Sequence, residues 1–239
     1  MILSLNVSKK FSTHNIIFPD IKAQSSDFIQ ITGASGSGKT TFCEILAKFK
    51  TLDTGEIFIN NKNINSINVF EHIHYISQFP EHNLLGATCF EELELWINAA
   101  RPSSLHPDIP RKPNVKDAKN VIYSILNDFS LGNLINMPIW RLSFGQKKAL
   151  AFCALIIVLR SVWVLDEPLA GLDIDLSEKL NDMIIEFIKK GGIVIVTSHE
   201  KNLDFEFTHS NTRIINIELD EPKYTFTHME REKGWHLEK

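Results

Sequence analysis

Ile2 to Val7 alternates apolar and polar residues, the period-two pattern of a half-buried strand. Phe28 to Ile31 predicts a second strand, and Thr40 to Phe49, beyond a glycine-rich turn, predicts a helix. Gly55 to Ile64 reads as a hairpin turning at Asn60 and Asn61, and Ile73 to Ser77 as a short strand. From about Thr88 to Ile139 the texture changes. Phe90 to Ala100 and Val115 to Phe129 have helical spacing, and Val115, Ala118, Ile122, Ile125, Leu126 and Phe129 share one stripe. The proline-rich stretch between them, Arg101 to Pro113, predicts a loop. Strand and helix then alternate again. Val162 to Leu165 is a buried strand, and Leu176, Leu180, Met183, Ile184 and Phe187 mark an amphipathic helix closed by Gly191 and Gly192. Ile193 to Val196 is apolar throughout, as strands inside parallel sheets are, and Arg213 to Leu219 gives one more strand. The expected fold is α/β, a mostly parallel sheet covered on both faces, with a small antiparallel part and an inserted helical subdomain. One domain, 1–239, is expected, with 1–87 and 140–239 forming the α/β core and 88–139 the insertion.

Composition narrows this picture. The 239 residues are 44% hydrophobic and 23% charged, ordinary values for a globular protein. The net charge of -4 provides no basic field, so nucleic acid is not an expected partner. Cys43, Cys89 and Cys153 are too few and too scattered for a metal cluster or a disulfide framework, and a reducing, cytoplasmic setting fits best. The N-terminus lacks the apolar stretch of a secretory signal. The most apolar run, Ala149 to Leu159, falls short of the roughly 20 residues that a bilayer span needs, and reads as a buried helix. Work at a membrane would need a partner that supplies the spanning part.

The first chemistry lies in the glycine-rich turn. Gly33, Ala34, Ser35, Gly36, Ser37, Gly38, Lys39 and Thr40 match G-x-x-x-x-G-K-[ST] at each position, after an apolar strand and at the start of a helix. Glycines let the backbone wrap phosphate oxygens with its N–H groups pointing inward, and the helix that follows faces the anion with its positive end. Lys39 is expected to reach the β- and γ-phosphates of ATP and the Thr40 hydroxyl to bind Mg²⁺, with Thr41 next in the same turn. The strand from Val162 ends in Asp166 and Glu167. The first carboxylate suits Mg²⁺, directly or through water, and the second is placed to polarise an attacking water.

The order of motifs resembles the ATP-binding cassette (ABC) ATPases. Leu142, Ser143, Phe144, Gly145 and Gln146 resemble their LSGGQ signature, and Asp166 to Asp173 (DEPLAGLD) resembles DEPTAGLD, whose tail is the D-loop. Gln78 stands where the Q-loop glutamine stands, and His199 where the switch histidine stands. The resemblance runs from about Ile2 to Leu219 and implies a P-loop NTPase (RecA-like) core. It implies that two cassettes, identical or paralogous, close head-to-tail around two ATPs. Ser143 and the Gly145 N–H, in the signature that Gln146 completes, would contact the γ-phosphate bound by the other subunit. Asp173 would communicate across the dimer, Gln78 would sense Mg²⁺ and the attacking water, and His199 would hydrogen-bond the γ-phosphate and the water near Glu167. Phe11 is expected to stack on adenine. Phe144 replaces the first signature glycine, Ala149 a frequent arginine, and Leu169 the usual Thr or Ser after DEP.

The segment from Gln78 to Glu92 is similar to that of energy-coupling factor and cobalt-type importers, with Pro80, Glu81, Thr88, Glu91 and Glu92 matching and Asn83 replacing a glutamine. The resemblance implies an ATPase subunit, peripheral on the inner face of the cell membrane, that powers vitamin or metal-ion uptake through a separate membrane protein. This segment is the expected docking surface for that protein, with Leu84 and Leu85 free to meet a partner helix and Glu81, Glu91 and Glu92 pairing with its basic residues. The alternative is a soluble cassette ATPase serving an assembly such as iron–sulfur cluster biogenesis.

Overall fold

The computed structural model describes residues 1–12, 14–100, 115–199, 212–219 and 223–224. Its strands are β1 (Ile2–Lys10), β2 (His14–Ile17), β3 (Ile21–Ala23), β4 (Asp27–Gly33), β5 (Thr54–Ile59), β6 (Lys62–Asn63), β7 (Ile73–Ile76), β8 (Val162–Asp166), β9 (Ile193–Ser198), β10 (Arg213–Leu219) and β11 (Lys223–Tyr224). Its α-helices are α1 (Lys39–Leu46), α2 (Cys89–Ala99), α3 (Val115–Asp128), α4 (Phe144–Ile157) and α5 (Ile174–Lys189). The proline-rich stretch Arg101 to Pro113 lies outside the described residues.

Five strands form a parallel sheet in the order β10-β4-β9-β8-β7. Successive residues on a strand point to opposite faces, and in the central strands β8 and β9 both faces are buried, whereas the edge strand β10 is largely exposed or half-buried. Phe28, Trp163, Leu165, Val194 and Val196 face a core completed by α2, α3, α4 and α5. Ile29, Ile31, Val162, Val164, Ile193 and Ile195 face a second core with α1 and the other sheet. That sheet is antiparallel, in the order β11-β2-β1-β5-β6, with β3 also paired to β1. The turn between β5 and β6 consists of Asn60 and Asn61, both left-handed at φ 50° and 64°, as a two-residue hairpin of this twist requires.

Helix boundaries depart from the periodicity for local reasons. α1 stops at Leu46 rather than Phe49, because Lys48 turns left-handed (φ 60°) and the Phe49 N–H bonds back to the Glu44 carbonyl. α4 starts well before Ala149, because Ser143 and Gln146 form a reciprocal capping box at its N-terminus. β2 and β3 are short pieces flanking Pro19, without an alternation long enough to read. Among the described residues, no helix is long and apolar enough to cross a membrane.

Candidate nucleotide site

β4 lies between β10 and β9, and its C-terminal end opens into the glycine-rich turn. A Cβ on Gly33 would stand 2.6 Å from Ser37 Oγ and 2.8 Å from the Leu219 carbonyl oxygen, so the turn closes only without one. Gly38, at φ 103°, backs onto Ile16, whose Cδ1 would lie 2.8 Å from an added Cβ. Gly38 is also the N-cap of α1 and offers no side-chain cap, and the first turn holds no acid. The opening N–H groups of α1 are thus left for an anion. Lys39 is buried, and its Nζ donates to the carbonyls of Gly33 (2.8 Å) and Ala34 (3.1 Å). Burial lowers the Lys39 pKa, against the pull of Glu167 and Asp166.

Asp166 ends β8 at 1% exposure. Its Oδ1 accepts a hydrogen bond from Thr197 Oγ1 at 2.5 Å, while Oδ2 is buried without a hydrogen-bond partner. The next residue, Glu167, holds its carboxylate between two of the residues expected beside it. Gln78 Nε2 donates to Oε2 at 3.0 Å, and His199 Nε2 lies 2.6 Å from Oε1. His199 Nδ1 lies in turn 3.3 Å from Lys39 Nζ, so the lysine, histidine, glutamate and glutamine form one continuous polar chain.

A cavity of about 310 Å³ gathers Phe11, Ser35, Gly36, Gly38, Lys39, Thr40, Thr41, Gln78, Glu167 and His199, together with Ile16 and His14. Phe11 stacks on His14 with ring centroids 4.8 Å apart, which makes an aromatic wall at one end. His14 carries no motif of its own, and its nearness to Phe11 in sequence is the only hint of this role. Gly33, Ala34 and Ser37 shape the turn from behind: two supply carbonyls to Lys39, and Ser37 is 1% exposed. Thr40, Gln78 and Asp166 offer oxygen donors alone, the set that suits Mg²⁺, and the unpartnered Asp166 Oδ2 is a vacant acceptor of the right kind.

The signature residues are not in this cavity. Ser143 is exposed and caps its own helix, accepting from the Gln146 N–H at 3.2 Å, while Gln146 Oε1 accepts from the Ser143 N–H at 2.9 Å. A Cβ on Gly145 would meet nothing within 4 Å. Asp173 caps α5, accepting from the Leu176 N–H at 2.9 Å. Within one chain, then, Ser143, Gly145, Gln146 and Asp173 serve two helix N-termini and do not line the cleft.

The segment from Gln78 to Glu92 corrects part of its sequence expectation. Glu92 is not available to a partner. It is 1% exposed and accepts from the N–H groups of Leu85 and Gly86, at 2.7 Å each, and from Trp96 Nε1 at 2.9 Å. Glu91 accepts from the Ala87 N–H at 3.1 Å, and Glu81 pairs with Lys147 at 2.8 Å. Leu84 packs onto the core, whereas Leu85 is 85% exposed. Leu85 borders a groove of about 580 Å³ whose other walls include Phe49, Phe70, Tyr75, His74 and Trp96. His74 stacks on Trp96 at 4.5 Å and is fully buried, which lowers its pKa to about 3 and keeps it neutral.

Comparison with known proteins fits this geometry. A family model described as ABC transporter matches residues 19–170. A protein of Onion yellows phytoplasma (strain OY-M), named as an ABC transporter ATP-binding protein, is 28% identical over 183 residues, 75% of this chain and 29% of that protein. The chain spans about a third of the length of the first curated relatives it matches. The cytochrome c biogenesis ATP-binding export protein CcmA of Histophilus somni (strain 129Pt) is 30% identical over 192 residues, 78% of this chain and 81% of that one. Among solved structures, the ATP-binding cassette MJ0796, a dimer bound to ADP and phosphate, superposes with TM-score 0.74 at 23% identity, covering 94% of this chain and 98% of that one. CbiO1 of Clostridium perfringens gives TM-score 0.65 at 22% identity, covering 85% and 80%. At these identities the structural likeness establishes the fold alone. The family match spans most of the chain and contains the whole of the cradle and the acidic strand end, and the chain therefore belongs to the ABC transporter family, as one of its ATP-binding ATPase domains.

Proposed function

We propose that this chain is the motor of a membrane transporter: it binds ATP with Mg²⁺, closes on a second cassette, hydrolyses the nucleotide and passes the movement to a separate membrane subunit. The observation that carries the proposal is the Glu167 carboxylate, held between Gln78 and His199 in the cavity that opens on the phosphate cradle. The backbone of Gly33 to Gly38, Lys39 and the start of α1 bind the phosphates, with Thr40, Asp166 and Gln78 holding Mg²⁺. The metal supplies charge neutralisation on the phosphate oxygens. Glu167 orients the water and takes its proton, with His199 steadying both water and γ-phosphate. Phe11 takes the adenine against the wall it shares with His14.

Closure follows from the placement of the signature. Ser143 and Gly145 stand at the self-capped N-terminus of α4 outside their own chain's cleft, with clear space beside Gly145, where they would meet the phosphate held by a second cassette, the same chain or a relative. Asp173 lies on the adjoining loop and carries the signal across. The Glu167→Gln protein is expected to be dimeric with ATP and monomeric with ADP in light scattering. Absence of any ATP-dependent change, alone or with a related cassette, overturns head-to-tail closure.

The groove beside Leu85 is the docking site for the membrane subunit, which places the chain on the cytoplasmic face of the membrane. Leu85, Phe70 (55% exposed) and Phe49 (61%) leave apolar surface at its rim. The internal clamp of Glu92 holds the loop that bears Leu85, and Gln78 ties the same segment to Glu167. The likeness of Gln78 to Glu92 to energy-coupling factor importers favours uptake of a vitamin or transition-metal ion. Leu85→Asp with Phe70→Asp, both exposed and so of little cost to folding, is expected to leave basal ATPase intact and to abolish co-purification with the membrane subunit. Normal assembly of the double variant overturns the docking site.

A further inference from the structure

Lys148 is a buried cation that the proposed reaction does not use. It sits in the second turn of α4 at 0% exposure, and its Nζ donates to the carbonyls of Glu167 (2.8 Å) and Ala170 (2.7 Å). Taking an ammonium out of water is unfavourable unless its protons are placed, so such a group needs definite acceptors. Burial draws the Lys148 pKa down to about 8, with Glu167 and Asp166 working the other way. Phe144 closes the site from outside. Its ring centroid is 5.3 Å from Nζ, and a Cβ on Gly171 would stand 3.0 Å from its Cε1. The side chain that departs from the signature thus roofs the cation, and Gly171, left-handed at φ 74°, gives it room.

The carbonyls that Lys148 holds belong to a strained turn. Glu167 is left-handed, at φ 48°, a conformation that crowds the Cβ of any residue but glycine against the backbone. Both its backbone groups are pinned by side chains from flanking elements: its N–H donates to Thr197 Oγ1 at 2.9 Å on β9, and its carbonyl accepts from Lys148 on α4. The direction of the carboxylate depends on this backbone conformation, because χ1 starts from the Cα so fixed. We infer that Lys148 is a positioning residue that, by holding the Glu167 carbonyl, keeps the left-handed backbone that aims the Glu167 carboxylate between Gln78 and His199. The inference rests on Glu167 being the hydrolytic base.

Lys148→Met tests it. A misaimed base costs turnover without costing nucleotide binding, so kcat is expected to fall about 10–100-fold while KM and ATP affinity stay within about 3-fold. Combined with Glu167→Gln, the change is expected to add nothing, since there is no base left to aim. Lys148→Arg, which keeps the charge and donors, is expected to recover part of the lost kcat. A kcat within about 3-fold of the parent, a loss of ATP affinity as large as the loss of kcat, or a full additive loss in the double variant each overturns the inference. If Lys148→Met does not fold by circular dichroism, Lys148→Gln, which keeps a polar side chain but is one bond shorter and so cannot place a donor where Nζ stands, carries the same measurements. Unchanged turnover in Glu167→Gln sinks the base assignment itself; loss there with none in Lys148→Met sinks only the positioning role.

Discussion

Glu167→Gln is expected to lower ATP turnover by about 10²–10⁴-fold, the usual worth of a positioned general base, while ATP still binds. The substitution keeps size and shape but removes the proton acceptor. Its amide oxygen can still accept the hydrogen bond that Gln78 Nε2 donates at 3.0 Å. Among the described residues, the groups from Gly33 to Thr40 make no direct hydrogen bond to either carboxylate oxygen, and Lys39 is linked to Glu167 only through His199. Phosphate release and nucleotide affinity measured on the same preparation separate the two effects. Turnover equal to that of the parent protein rejects Glu167 as the base, and His199, 2.6 Å from it, becomes the group to test.

The central strands β8 and β9 were legible because each is a run buried on both faces, and the glycine-rich turn because its close approaches demand glycine at set places. The same logic explains what stayed hidden. Glu91 and Glu92 look alike in sequence, yet one lies on the surface and the other caps a loop from inside the core at 1% exposure. Lys147 and Lys148 are adjacent too, about 100° apart on the helix. The first pairs with Glu81 at the surface and the second is sealed beneath Phe144. Hydrophobic periodicity cannot separate them, because α4 is buried along most of its length and shows no polar face to count from. His14 escaped notice because it reaches the cleft through pairing of β2 with β1, a contact set by the hairpin register rather than by spacing from the cradle. The burial that decides each of these cases is a property of packing between elements, and residue identity alone does not carry it.

Ser143→Arg is expected to remove nearly all hydrolysis, a loss above about 10²-fold, consistent with losing preorganised donors at a phosphate. The Oγ of Ser143 caps α4, and losing that cap costs only about 1 kcal/mol of stability, too little to unfold a domain of this size. ATP binding by the single chain should therefore persist, because Ser143 lies outside the cavity that holds Lys39 and Thr40. The damage comes from an arginine standing where the second cassette's phosphate must approach. Phe144→Gly, which opens the roof over Lys148 but leaves the helix N-terminus clear, should cost less. Mixing supplies the decisive measurement. Lys39→Ala loses the cradle lysine but keeps an intact signature, and Ser143→Arg is the converse. In a head-to-tail pair of these two chains, one site combines both defects and the other combines neither. The mixture is then expected to hydrolyse ATP faster than the sum of its separate components. Activity no greater than that sum rejects self-pairing through the signature, whereas Ser143→Arg activity close to the parent's would show that the phosphate never meets α4 at all.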